Sequence, residues 1–184
     1  MARMYTRRGD SGETDIMGGK RVPKDDPRIA ALGEIDELNA AIGLAMAVIE
    51  DREITAVLHQ VQNDLFTVGA DLSVAPGREL KLPKMTEGHV KSLEQGIEKF
   101  DPGAAKEFVL PGGSIQVASL QLARAVARRA ERAVVALSRK QEMNKHVLEY
   151  LNRLSSLLYV LALNVKKSTG QIEEHPKYEP PGTK

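Results

Sequence analysis

Val147-Leu148-Glu149-Tyr150-Leu151-Asn152-Arg153-Leu154-Ser155-Ser156-Leu157-Leu158-Tyr159-Val160-Leu161-Ala162-Leu163-Asn164-Val165 is the stretch that decides the fold. Val147, Leu148, Leu151, Leu154, Leu158, Leu161 and Val165 recur every three or four positions. That spacing places them on one stripe of an α-helix, since 3.6 residues complete a turn. It predicts a helix from about 144 to 168. No strand-like alternation competes with it here or elsewhere in the chain.

Reading outward, the same period returns four times. The segment 115–140 is rich in Ala, Arg, Leu and Glu, which are good helix formers. Ser114, after the turn Phe108-Val109-Leu110-Pro111-Gly112-Gly113, has the hydroxyl expected of its N-cap. A shorter helix carries Val90, Leu93, Ile97 and Phe100 and stops at Asp101-Pro102-Gly103. Ile54, Val57, Leu58, Val61, Leu65, Val68 and Leu72 mark another, and Pro76, Gly77 and Pro83 break the chain after it. Ile35, Leu38, Ile42, Ala45 and Ile49 predict a first helix over roughly 28–50. Ahead of it, Gly9, Gly12, Gly18 and Gly19 among charges and hydroxyls read as irregular loop. Pro176, Pro180 and Pro181 make the tail from Gly170 extended or flexible. The sum is an all-α, antiparallel bundle of about five helices: a single domain with a loop over 1–26, a bundle over 27–168 and a tail over 169–184.

The 184 residues are 42% hydrophobic and 28% charged, with 26 basic and 25 acidic side chains and a net charge of +1. This balance argues against a binder that grips nucleic acid mainly by charge. The absence of cysteine removes disulfides, thiolate zinc sites and a cysteine nucleophile. Met1 to Arg8 leads into no apolar h-region, and no window approaches the roughly 20 apolar residues of a membrane span. The expectation is a cytoplasmic protein with no membrane contact.

Chemistry gathers in two places. Thr6-Arg7-Arg8-Gly9-Asp10-Ser11-Gly12-Glu13-Thr14, followed by Lys20, Arg21 and Lys24, combines glycine amides, hydroxyls and cations. Phosphate oxygens are bound by that mixture, and Asp10 could hold a magnesium ion bridging phosphates. The same composition also reads as a solvated basic arm with turn glycines. It is no Walker loop, because G-x-x-x-x-G-K-[ST] does not occur. Gly9-Asp10-Ser11-Gly12 resembles a serine-protease loop only locally, since a helical chain without cysteines does not suit that fold. His59, His89, His146 and His175 show neither triad nor metal-ligand spacing, so no resident metal ligands are assigned.

The second place is the 115–140 helix. Arg124, Arg128 and Glu131 lie at i, i+4 and i+7 and share a face. Leu122, Val126 and Val134 should point elsewhere, and Arg129 and Arg132 read as solvated. Such a row is commonly an exposed charged face. Val117 and Leu120 nearby suggest instead a half-buried one, where an arginine needs an anionic partner. Asp36 and Asn39 form a polar strip on the first helix, and Asn152 sits between leucines on the last.

Five stretches together resemble the propanediol-utilisation type of ATP:cob(I)alamin adenosyltransferases. They are Tyr5 to Thr14, Gly33-Glu34-Ile35-Asp36-Glu37-Leu38-Asn39, Phe108 to Gly113, Ala127-Arg128-Arg129-Ala130-Glu131-Arg132, and Leu151-Asn152-Arg153-Leu154-Ser155. Each is short; five in family order over most of the chain are specific. The resemblance implies a ferritin-like five-helix bundle, assembled as a homotrimer with active sites between subunits. It implies transfer of the 5′-deoxyadenosyl group of ATP to the cobalt of cob(I)alamin, with Mg²⁺ on the triphosphate. By position, Thr6, Arg7, Gly9, Asp10, Gly12, Thr14 and Lys24 would cradle ATP. Arg128, Glu131 and Asn152 would hold the nucleotide from the helices, together with Arg124. Asp36 would pair with Arg124 across the interface, and Phe108 would lie by the lower face of the corrin. A core aromatic is the rival reading of Phe108. Many members carry Lys where this chain has Arg7, which offers a fork in place of a point charge. A reductase for Co(II) and an enzyme accepting the product are further implied partners.

This reaction would need no protein nucleophile, because cob(I)alamin is itself one. A corrinoid carrier without chemistry, a helical scaffold and a phosphotransferase are the competing classes.

Overall fold

The computed structural model describes residues 5–75, 77–103, 109–170 and 174–177. Five helices follow a short hairpin: β1 Glu13–Ile16, β2 Lys20–Pro23, α1 Pro27–Met46, α2 Arg52–Ser73, α3 Glu87–Phe100, α4 Ile115–Ser138 and α5 Lys145–Ser168. Neighbouring helices pack in the order α2, α1, α4, α5, α3. The stripe that opened the sequence reading becomes the core: Val147, Tyr150, Leu151, Leu154, Leu157, Leu158 and Leu161 have no exposed surface.

Helix starts are set by side chains that satisfy orphan amides. Asp26 accepts from the Arg28 amide (2.8 Å), with Pro27 at the position where no N–H is needed. Asp51 accepts from the amides of Glu53 and Ile54, and Asn144 from that of His146. Ser114 caps α4, as expected, by accepting from the Val117 amide. α1 ends at Met46, four residues short of the expected limit, because the chain turns there to deliver buried Ile49 and then the Asp51 cap.

The segment expected to be wholly irregular holds a hairpin. β1 and β2 pair antiparallel, Glu13 opposite Pro23 and Ile16 opposite Lys20. Gly18 (φ 105°) and Gly19 (φ 81°) make the turn in a region closed to most side chains. Four residues per strand are too few for an alternation signal, and only Ile16 and Val22 point inward, onto Ala75. The Met17 amide donates to Ser73 O (3.1 Å) and the Ala75 amide to Met17 O (2.9 Å), docking the hairpin on the end of α2.

Arg28 locks the same end. Its guanidinium is buried and donates to the carbonyls of Leu72 and Val74 and to Gln141 Oε1, each at 2.5 Å. Burial holds its pKa below the ordinary arginine value, against the opposing pull of Asp26. The turn after α4 therefore lies against the start of α1, beside the N-terminal loop.

Candidate active site

The N-terminal loop is a series of tight turns. The Asp10 amide donates to Arg7 O (3.3 Å), the Gly12 amide to Gly9 O (3.2 Å), and the Lys24 amide to Gly12 O (2.8 Å). Arg7 sits at φ 61°, rare for a residue with a Cβ, and its guanidinium lies 5.5 Å from the Tyr5 ring. Gly9 allows close approach: a Cβ there would stand 3.0 Å from the Lys24 ammonium. Thr6 accepts from the Arg8 amide at 3.4 Å, and Thr14 pairs with Val22 in the hairpin. Gly12, at φ 80°, and Asp10 are exposed.

The cations of this loop divide. Arg8 pairs with Asp15 (3.0 Å), and Arg21 with Glu13 (3.2 Å) and Asp15 (3.5 Å). Arg7, Lys20 and Lys24 form no ion pair among the described residues, so their charge is not neutralised there. No group of three or more His, Asp or Glu converges as a metal cage among the described residues. Exposed Asp10 is a single carboxylate, which suits a magnesium ion brought in on phosphates, since Mg²⁺ is usually held by one or two carboxylates plus substrate oxygens.

On the bundle, α4 and α5 present the second cluster. The Arg124 Nε donates to Gln121 Oε1 (2.7 Å), and its guanidinium lies 5.8 Å from the Tyr159 ring in a half-buried position. Arg128 is exposed, and its side chain makes no hydrogen bond or ion pair among the described residues. Asn152 Nδ2 donates to Glu131 Oε1 (3.0 Å), and Asn152 Oδ1 accepts from Arg153 (2.9 Å). Arg128, Glu131 and Asn152 line one cleft of about 420 Å³.

Two expectations need correction. Asn152 is exposed on α5 and meets Glu131 of α4, a polar contact between helices, rather than an apolar interior. Arg129 is not merely solvated: its Nε reaches Glu34 at 2.6 Å and its other end Glu37, joining α4 to α1. Those two carboxylates, Glu34 first, hold its pKa above the ordinary value. Of the apolar residues expected off the charged face, Val126 and Val134 are buried and Leu122 is 51% exposed.

Asp36 does not meet Arg124 within one chain. It is exposed on α1, beside an apolar hollow of about 280 Å³ lined by Met17, Leu32, Leu65 and Phe66. Phe66 is 74% exposed. In the same hollow Asn39 Oδ1 is buried without a partner, while its Nδ2 reaches Gln62 O at 3.5 Å. Sequence reasoning passed over Phe66; its signal was an aromatic lying off the stripe of Leu65, Val68 and Leu72. Phe108 lies outside the described residues. Just after it, the Leu110 amide donates to Glu174 O at 2.7 Å, so the tail touches this loop.

No helix is long and apolar enough to cross a membrane among the described residues. The sequence pattern of the cobalamin adenosyltransferase family matches residues 4–165. The chain is 41% identical over 179 residues to the corrinoid adenosyltransferase of Bacillus subtilis (strain 168), covering 93% of this chain and 91% of that one. It is 44% identical over 169 residues to that of Mycobacterium tuberculosis (strain H37Rv), covering 88% of each. Its structure superimposes with a TM-score of 0.90 and 34% identity on a variant PduO-type ATP:corrinoid adenosyltransferase from Lactobacillus reuteri complexed with cobalamin and ATP, covering 95% and 97% of the two chains. The family's sequence pattern and a matching helical fold thus run along nearly the whole chain, and the protein belongs to the cobalamin adenosyltransferase family.

Proposed function

We propose that this protein transfers the 5′-deoxyadenosyl group of ATP to the cobalt of a reduced corrinoid and releases triphosphate. The observation that carries this reading is the match, over 95% of the chain, to a relative complexed with both cobalamin and ATP. The electron pair of Co(I) attacks C5′, the cobalt–carbon bond forms, and the C5′–O bond breaks with its electrons passing to triphosphate. The substrate is the nucleophile, so the protein's tasks are alignment and charge. Holding the two reactants in line is worth roughly 7–11 kcal/mol in favourable cases. Arg7, Lys24 and Arg128, uncommitted to other ion pairs, are suited to the leaving group. Mg²⁺ at Asp10 would neutralise part of that charge.

The site residues divide between surfaces in a way that supports a homotrimer. Asp36 and Phe66 lie on the α1–α2 side, and Arg124, Arg128 and Leu122 on α4. Docking one copy's α1–α2 side on another's α4 would pair Asp36 with Arg124, bury Phe66 and Leu122, and join the halves of the site. Phe108 would then lie by the corrin and exclude water from its lower face. Residues 1–26 serve as the ATP loop, 27–168 as the bundle and 169–184 as the tail of one domain. The setting is cytoplasmic, with a reductase supplying Co(I) and an acceptor enzyme taking the product.

The test is anaerobic incubation with Mg-ATP and chemically reduced cob(I)alamin. Adenosylcobalamin and intact tripolyphosphate are expected. ADP with orthophosphate, or ATP binding without organocobalt product, would overturn the reading in favour of a phosphotransferase or a carrier.

A further inference from the structure

Five arginines lie along α4 and its C-cap: Arg124, Arg128, Arg129, Arg132 and Arg139. Two are spent within the fold, Arg124 on Gln121 and Tyr159, and Arg129 on Glu34 and Glu37. The other three donate no side-chain hydrogen bond and form no ion pair among the described residues, and all three line the same cleft. Arg128, Arg132, Val135 and Arg139 follow at i, i+4, i+7 and i+11, so they share a face. At 1.5 Å per residue the row spans about 16 Å, a length comparable with an extended nucleoside triphosphate. The one carboxylate in the cleft, Glu131, is already bonded to Asn152. The far end is therefore purely cationic.

Direction follows from the fold. Arg139 closes α4 just before Gln141, and Gln141 accepts from Arg28 at the start of α1. Arg139 thus stands at the end of the bundle from which the N-terminal loop departs. Asn152 and Arg128 lie nearer the middle. We propose that Arg139 is a positioning residue for the outer phosphates of the nucleotide and sets the preference for a triphosphate over shorter forms. This rests on the adenosyl-transfer reading and extends its site by two turns of helix.

The test is calorimetric titration of the full chain, Arg139→Ala and Arg139→Lys with Mg-ATP, inorganic tripolyphosphate and adenosine. Arg52→Ala, on α2 away from the cleft, controls for net charge. Losing one charge-assisted contact should weaken ATP and tripolyphosphate about tenfold in Arg139→Ala, while adenosine changes less than about twofold. Arg139→Lys should recover part of the loss and Arg52→Ala should show none. In turnover, the KM for ATP should rise more than kcat falls. Unchanged tripolyphosphate affinity in Arg139→Ala would overturn the proposal, as would an equal loss for adenosine. Failure of the unaltered chain to bind ATP would instead overturn the parent reading.

Discussion

Arg128 is an exposed side chain with no side-chain partner among the described residues, and that combination separates function from stability. Replacing it with Ala removes no buried contact, so helical circular dichroism and the unfolding temperature should stay within the usual surface range of about 0.5 kcal/mol. Turnover should fall about 100-fold or more, the usual effect of deleting a fixed donor to developing charge. Normal turnover in Arg128→Ala would remove it from the site. Asn39 poses the opposite case. Its buried, unpartnered Oδ1 costs stability in the isolated chain, which is reason to look for a donor arriving from outside.

At the scale of elements, a buried polar tie joins α2 to α5. Tyr150 donates to Asp64 Oδ2 at 3.0 Å, and Gln60 reaches the other carboxylate oxygen at 2.9 Å. Tyr150→Phe leaves a buried carboxylate short of a donor and should cost about 1–3 kcal/mol in denaturant unfolding. Burial, and then the Asp64 charge, push the Tyr150 pKa well above its ordinary value. The folded state therefore keeps a proton that the unfolded chain loses above pH about 10. This contribution is intact below that pH and declines above it. Thermal unfolding followed from pH 8 to 11 should show a steeper alkaline loss in the natural chain than in Tyr150→Phe. Identical slopes would mean that the tyrosine bears no such linkage. By contrast Arg129 forms a solvent-screened surface pair with Glu34 and Glu37, and its replacement by Ala should leave the unfolding temperature nearly unchanged.

For the whole molecule, the separation of Asp36 from Arg124 makes assembly testable through energetics. Within one chain the two make no contact, so Asp36→Ala and Arg124→Ala should be additive in a monomer. In an assembly that pairs them, a double-mutant cycle on turnover should return about 1–3 kcal/mol of coupling. Phe66→Asp, placed in the exposed apolar hollow, should shift light-scattering mass toward a single chain and abolish activity together. A fully active monomer would overturn the inter-subunit site.

The five helices were legible because each buries a continuous stripe, and a stripe at 3.6-residue spacing has one structural solution. The Ser114 cap was legible too, since a hydroxyl before a helical run has few other uses. The N-terminal loop and the Arg128, Glu131 and Asn152 group were recognisable as family motifs, because their residue types occur in family order. What the tertiary structure alone decided is how charge and polar groups are spent. Arg8, Arg21 and Arg129 look like Lys24 and Arg128 in the sequence, yet carboxylates brought near by folding neutralise the first three. The hairpin likewise escaped notice, because two four-residue strands gain stability from docking on α2 rather than from a pattern of their own. Periodicity reports which face a residue takes, a local property; whether a charge is free depends on distant neighbours, and only the folded chain sets those distances.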